Sequence, residues 1–269
     1  MEQETKKILR NYAICAGIEA LIAFLVIWSI KPSFSADAVA AELWRSVIYR
    51  GLASLVFVFA LIYLEYRVFS AFRLSHLAVF VPALLVAVNN FPILGMVNKT
   101  VWLDRGDLLW LYAFDCLMIG LFEELAFRGV LLPFLLEKRR NSKSQVLWTV
   151  VLSSGVFGLI HLINLFEGAG VGSTILQVGY SFLIGGMCAI VLLKTGNLLY
   201  CVLLHTVYDI GGRWMTVAGG NLWDTPTVIL TVILAVIVTA WMLVVFFRID
   251  NQDAARFYRR AGNQAKEDT

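Results

Sequence analysis

Apolar residues fall in eight blocks along the chain, most of them long enough for a helix that crosses a membrane. A spanning helix needs about 20 apolar residues, because each residue rises about 1.5 Å and the hydrocarbon core is about 30 Å thick. Helices also satisfy their own backbone hydrogen bonds, as lipid requires. The pattern therefore predicts an all-α membrane protein with about eight transmembrane helices, near residues 11–30, 46–65, 76–97, 109–136, 146–166, 173–194, 196–212 and 226–247.

Two of these predicted spans differ from a simple apolar crossing. The block 109–136 is too long for one straight crossing, so we expect it either to tilt or to break near Pro133. The block 196–212 is short, and it carries the polar residues His205 and Asp209 before it ends at a pair of glycines. It is the span that hydropathy supports least.

The positive charges bear on both the number of spans and their orientation. If the N-terminus lies in the cytoplasm, 15 of the 22 lysines and arginines fall on the cytoplasmic side and five on the opposite side. The other two, Arg50 and Arg128, lie within spans. Cytoplasmic loops are enriched in these residues. We therefore expect both termini in the cytoplasm, and an even number of spans follows.

The composition excludes several other classes of protein. Apolar residues make up 59% of the chain and charged residues only 15%, whereas an ordinary globular domain is about a quarter charged. The formal net charge is +3, and nothing indicates a partner nucleic acid. The four cysteines form no Cys-x-x-Cys pair, so we predict neither disulfides nor a thiolate metal site. We expect a single polytopic domain over residues 1–269, with a polar and partly disordered tail at 249–269.

Adjacent glutamates within the fourth predicted span are the strongest candidates for function. Ionisable residues inside a membrane helix cost about 2.5–3.5 kcal/mol each on insertion scales, so they usually face a protein interior or a cavity. Glu124 and Arg128 are four residues apart on one helix face and can form an ion pair. Glu123 lies about 100° round the helix and has no local partner. A purely structural cluster of ion pairs between helices would also explain these residues.

Two histidines lie in later predicted spans, each on a different helix. His161 follows Phe157 by four residues, and a single histidine in a membrane helix is often only hydrogen-bonded to a neighbour. His205 precedes Asp209 by four residues, so the two side chains share one face of the helix. The carboxylate can orient the imidazole ring, share a metal with it or form a local hydrogen bond alone.

The combination of these groups indicates more than any one of them. A carboxylate base, two imidazoles and a further carboxylate are the groups needed to activate a water molecule. The sequence contains neither a Gly-x-Ser-x-Gly elbow nor a His-Glu-x-x-His zincin motif. Because water must reach an ionised base, we expect a hydrated cavity among the fourth, fifth and seventh spans. Asp115, eight residues before Glu123, either lines this cavity or reaches an interface, and we favour the interface.

These residues resemble three motifs of the CPBP family, which comprises CAAX prenyl endopeptidases and bacteriocin-processing or self-immunity proteins. The motifs are Glu123-Glu124-x-x-x-Arg128, Phe157-x-x-x-His161 and His205-x-x-x-Asp209. They follow the order of the family, and each falls on its own predicted span. The resemblance covers roughly residues 105–212, which we interpret as a catalytic-motif core. The resemblance implies that the protein is a multi-helix intramembrane endopeptidase.

The resemblance also implies roles for the motif residues. Glu123, assisted by His161, would be the general base for a water molecule, and the rest of the first motif would support it. His205 and Asp209 would stabilise the oxyanion or complete the polar site. These four residues could hold zinc, or they could act without a metal, with imidazolium as acid and oxyanion donor. Family members of both kinds have been described, so zinc is a possible cofactor and not a required one.

One departure from the family affects the expected substrate. Prenyl proteases of the eukaryotic type usually have Asn at the position of Asp209, and this chain is also short. We therefore expect a bacterial-type member in the lipid bilayer of the cytoplasmic membrane, acting on a peptide or membrane-protein substrate that need not be prenylated. Two alternatives stay open: a non-catalytic immunity or partner-binding protein of the same fold and, less favoured, an ion-coupled transporter.

Overall fold

The chain folds almost entirely into helices, as the apolar blocks predict. The computed structural model describes residues 2–30, 32–166, 168–220 and 225–257. Within these ranges the α-helices are α1 (Glu2–Ile30), α2 (Ala38–Leu64), α3 (Leu77–Asn89), α4 (Ile93–Val97), α5 (Leu109–Glu124), α6 (Leu132–Glu137), α7 (Lys143–Leu159), α8 (Val171–Thr195), α9 (Leu198–Gly212), α10 (Thr225–Phe246) and α11 (Asn251–Ala255). Short 3₁₀ turns lie at Leu74–His76, Gly106–Leu108, Ile160–Leu165 and Trp214–Thr216. Strands β1 (Val101–Leu103) and β2 (Ala218–Gly220) pair antiparallel.

The long apolar helices are those of an integral membrane protein. By length and composition, three described segments can cross a bilayer: α2, the segment Lys143–Leu165 that contains α7, and α8. Shorter apolar stretches lie in α1, in α3 with the turn before it, in α9 and in α10. Many large apolar side chains on these helices are exposed, as lipid contact requires. The count of eight spans and the cytoplasmic position of both termini stay predictions.

The fourth predicted span does not break at Pro133. α5 ends at Glu124, residues Leu125–Leu131 form a π-helix, and α6 continues from Leu132. Proline lacks an N–H group and its ring collides with the carbonyl four residues earlier in an α-helix. Here Pro133 lies in the first turn of α6, directly after the wider π-helical turns, where the missing donor costs little. The π-helical segment thus begins immediately after the adjacent glutamates Glu123 and Glu124. Such turns occur frequently at functional sites.

The packing centre is formed by α8 and α9. Every residue from 187 to 193 of α8 is buried, and α9 packs against α3, α5 and α8. The side-chain amide of Asn90, just after α3, donates to the Tyr208 carbonyl of α9 at 2.7 Å. A Cβ at Gly211 would lie 2.6 Å from the Asn90 backbone, so the glycines that end α9 allow this close approach. α5 packs against α9 and α7 packs against α8, so the helices that carry the three motifs meet around this centre.

Two further contacts hold the helix ends. The backbone N–H groups of Asp104 and Arg105 donate to the Val217 carbonyl, which ties the start of α5 to the end of α9. The Arg105 guanidinium also bridges Asp37 and Asp107 at 2.9 Å each. The bonds to Val217 fix α5 to α9 at one end of the molecule, and the bridge to Asp37 adds the start of α2.

The beginning of the polar tail is ordered, and this limits the predicted disorder. α11 lies against the end of α8, where Lys194 Nζ is 2.5 Å from Asp253 Oδ2. Ile249, Ala254 and Phe257 are fully buried. Residues 258–269, the rest of the tail, lie outside the described residues.

Candidate active site

Glu124 and Arg128 form the ion pair that their spacing predicts. Arg128 Nη1 is 3.0 Å from Glu124 Oε1, and both side chains are almost completely buried. The guanidinium carbon lies 4.2 Å from the centre of the Phe157 ring, which is a cation–π geometry. Burial of such a pair is tolerated only when the charges are compensated. The pair is therefore a fixed internal element rather than one that meets a substrate.

His205 joins the glutamate motif to α9. Its Nδ1 lies 2.8 Å from Glu124 Oε1, and a carboxylate accepts, so Nδ1 carries the proton of that bond. The other ring nitrogen, Nε2, lies 3.5 Å from Glu123 Oε2 and 3.8 Å from Asp209 Oδ1. Glu123, which lacks a partner on its own helix, thus finds one on α9.

The exposure of these side chains increases from one side of the His205 ring to the other. Glu124 is 0% exposed and His205 is 6% exposed, whereas Asp209 is 15% and Glu123 is 20% exposed. The ring therefore separates a dry carboxylate at Nδ1 from two accessible carboxylates at Nε2. Only the accessible side can meet water or a substrate.

His161 approaches the cluster through Phe157. α7 tightens into a 3₁₀ turn at Ile160, and His161 Nδ1 lies 2.9 Å from the Phe157 carbonyl oxygen. A carbonyl can only accept, so Nδ1 donates and Nε2 is left with its lone pair in the neutral ring. The Phe157 ring contacts both imidazoles edge-on, at 5.3 Å from His161 and 5.9 Å from His205. Within the described part of the chain, no hydrogen bond or ion pair joins His161 directly to a glutamate.

Asp115 is not an interface residue, so the expectation that we favoured for it is wrong. Its side chain is fully buried, with Arg213 Nη1 at 2.7 Å and Arg50 Nη1 at 3.6 Å. Ser46 donates a further hydrogen bond to it. These partners come from α2 and from the residue after α9, so the sequence around Asp115 gives no sign of them.

The residues that could hold zinc form pairs rather than a compact group. His205 Nε2 is near both Glu123 and Asp209, and its Nδ1 bond to a carboxylate is the arrangement usual behind a metal-bound imidazole. Within the described ranges, a different group has three ligand atoms close enough to share one ion. These atoms belong to Glu124, Cys188 and Cys201. The predicted donors Glu123, His161, His205 and Asp209 do not form such a set, and zinc stays a prediction.

An apolar cavity of about 350 Å³ lies beside this cluster, between α3, α7, α8, α9 and α10. None of the described residues that line it is charged, and its polar lining includes Asn90, Ser154, Tyr180 and Tyr208. Tyr208, which lines the cavity, directly precedes Asp209, so the cavity reaches the helix that carries the third motif. It differs from the hydrated cavity that the sequence predicts, because neither glutamate of the first motif lines it.

Gly185 on α8 is a residue that motif reasoning missed. A Cβ there would lie 2.7 Å from Arg128 Nη2 and 2.9 Å from Phe157 Cδ1. The absence of a side chain therefore makes room for the cation–π stack. Gly186 beside it has only an ordinary contact at 3.6 Å, so nothing in the sequence distinguishes the two glycines.

A comparison with protein families matches the part of the chain that carries the three motifs. Residues 105–211, less than half of the chain, match the family model described as type II CAAX prenyl endopeptidase Rce1-like. This range contains all three motifs. Neither the search of curated proteins nor that of solved structures gives a significant match. The matched family is of the CAAX membrane-protease type that the three motifs resemble.

Proposed function

We propose that this protein is an intramembrane endopeptidase that hydrolyses a peptide bond in a membrane-associated protein or peptide. One observation carries the proposal: of two adjacent glutamates, Glu124 is fully buried and paired, whereas Glu123 is accessible and faces the same imidazole. Adjacent carboxylates in such different surroundings suit different tasks. Glu123 is the general base, and Glu124 orients His205.

The reaction begins when Glu123 takes a proton from a water molecule that attacks the peptide carbonyl carbon. The new C–O bond places negative charge on the carbonyl oxygen. His205, held by Glu124 through Nδ1, donates from Nε2 to that oxygen in its protonated form. Asp209 stabilises the imidazolium from the exposed side.

The C–N bond then breaks, and the leaving amine takes up the proton that Glu123 removed from water. His161 assists this transfer, because the Phe157 carbonyl fixes its Nδ1 and leaves Nε2 free to accept and return a proton. The products are a carboxylic acid and an amine, which ionise in water to a carboxylate and an ammonium group, so one water molecule is consumed for each bond cleaved.

The surroundings of the site suggest an uncharged substrate segment. The adjoining cavity is apolar and has no charged lining among the described residues, so it accommodates apolar side chains better than ionised ones. We further propose eight spans with both termini in the cytoplasm of a bacterial cell, since this topology places most lysines and arginines on the cytoplasmic side.

Quantitative mass spectrometry of membrane peptides tests this function. Cells that contain wild-type protein are compared with cells that contain Glu123→Gln, with equal membrane insertion verified for both. We expect specific membrane peptides to appear only with the wild-type protein. If the peptide profiles agree while a wild-type phenotype persists in the variant, the protein acts by binding rather than by catalysis.

A further inference from the structure

α5 and α9 approach each other very closely at Gly120. A Cβ built on Gly120 would lie 2.9 Å from Thr206 Oγ1, 3.1 Å from the Thr206 backbone nitrogen and 3.2 Å from the Val202 carbonyl oxygen. Two of these three atoms belong to the backbone of α9. A side chain at Gly120 therefore cannot be accommodated by a rotamer change alone.

The Thr206 hydroxyl is also held in place. It donates to the Val202 carbonyl oxygen at 2.7 Å, and Thr206 is buried. Moving it away from a new side chain at Gly120 would break a buried hydrogen bond, which is costly in an apolar interior. The two helices must therefore separate if Gly120 is enlarged.

This crossing point coincides with the reactive groups. Gly120 lies three residues before Glu123 and four before Glu124, which is about one helical turn. On the other helix, Thr206 directly follows His205. The distances of 2.8 Å and 3.5 Å from His205 to the two glutamates are thus set where the helix backbones meet.

We propose that Gly120 is a positioning residue that fixes the spacing between the glutamate pair and His205. The inference rests on the proposed function for its effect on hydrolysis, but the His205–Glu124 hydrogen bond itself does not depend on any activity. Enlarging Gly120 would lengthen that bond and misplace Glu123 relative to His205 Nε2.

The test combines kinetics with nitrogen NMR of the histidine rings. The chain has three histidines, so a sample labelled only in histidine gives an assignable spectrum. Gly120→Ala is compared with Gly155→Ala on α7, where an added Cβ meets nothing within 4 Å. The double variant Gly120→Ala/Thr206→Ala, which removes the closest contact, is measured beside them.

We expect Gly120→Ala to shift the His205 ring resonances while those of His76 and His161 keep their positions. Hydrolysis should show a roughly tenfold lower kcat with little change in KM, because small misplacements at a reacting centre are costly. The Gly155→Ala variant should match wild type, and the double variant should recover part of both effects. If Gly120→Ala does not fold, the double variant must still show a displaced His205 resonance.

Unchanged His205 resonances in a folded Gly120 variant would overturn the inference. A shifted resonance in a preparation whose wild-type protein cleaves no membrane peptide would instead reject the proposed function and leave the positioning role intact.

Discussion

α5 carries two fully buried carboxylates, and their surroundings differ in charge balance. Asp115 faces two guanidinium groups, from Arg50 and Arg213, together with the Ser46 hydroxyl. Nine residues later, Glu124 faces one guanidinium and one imidazole. We call these the Asp115 cluster and the Glu124 cluster.

The Asp115 cluster has more cations than carboxylates, and its carboxylate is saturated by partners. The Glu124 cluster contains three carboxylates around His205 but a single guanidinium, and two of those carboxylates are partly exposed. A buried charge in a membrane helix is thus not by itself a mark of catalysis. Accessible carboxylates beside a histidine are what distinguish the candidate site.

The largest expected effect comes from His205→Asn. Loss of the imidazole removes the donor between Glu124 and the accessible carboxylates, so cleavage should fall by about 10²–10³-fold. Rates of peptide cleavage by purified protein in nanodiscs measure this. Asp115→Asn, in the other cluster, should stay within a few-fold of wild type. Equal losses in the two variants would show that the clusters do not differ in function.

The second effect concerns stability. Arg128→Met removes the only guanidinium that faces Glu124 among the described residues, and breaking a buried pair in this way costs about 3–5 kcal/mol. Arg50→Met should cost less than half as much, since Asp115 keeps Arg213 at 2.7 Å. Thermal unfolding in detergent compares them. A larger loss of stability from Arg50→Met than from Arg128→Met would show that Asp115, and not Glu124, depends more on a single arginine.

These comparisons show which parts of the site the sequence could predict. The pairing of Glu124 with Arg128 follows from helix geometry alone, because residues four apart share a face. The helices themselves follow from the apolar blocks. Both are local properties, and both agree with the structure.

The partners of Asp115 and Glu123 could not be predicted in this way. They come from helices far away in the sequence, and no spacing rule reports which faces of two helices meet. The π-helical segment after Glu124 is similarly hidden, because proline indicates an irregularity near Pro133 but not whether the helix breaks or widens before it.

A smaller effect is expected at Gly185. An added methyl group there would press on Arg128 and Phe157, and such overpacking typically costs about 1–3 kcal/mol. Gly185→Ala should therefore lower the unfolding temperature. The neighbouring variant Gly186→Ala, with only an ordinary contact, should change it little. Identical unfolding temperatures would show that the Arg128 stack does not need this space.

The smallest effect lies outside both clusters, at the start of α2. The backbone N–H of Ala40 and the Arg105 guanidinium lower the pKa of Asp37 below its ordinary value. A lowered pKa in the folded state stabilises the fold above the unfolded value of about 3.9, and this contribution is lost as pH falls through the folded value. Asp37→Ala should lower the unfolding temperature at neutral pH, and the difference should vanish in acid. A difference that grows in acid would contradict this reasoning.

The most direct measurement follows a single membrane peptide cleaved by protein reconstituted in liposomes. Wild type and Glu123→Gln are compared by mass spectrometry of the products, with equal incorporation into the bilayer. Our account predicts that the variant forms product at least about 10²-fold more slowly, because it lacks the general base. Cleavage by Glu123→Gln at the wild-type rate would show that the accessible glutamate is not the base that activates water.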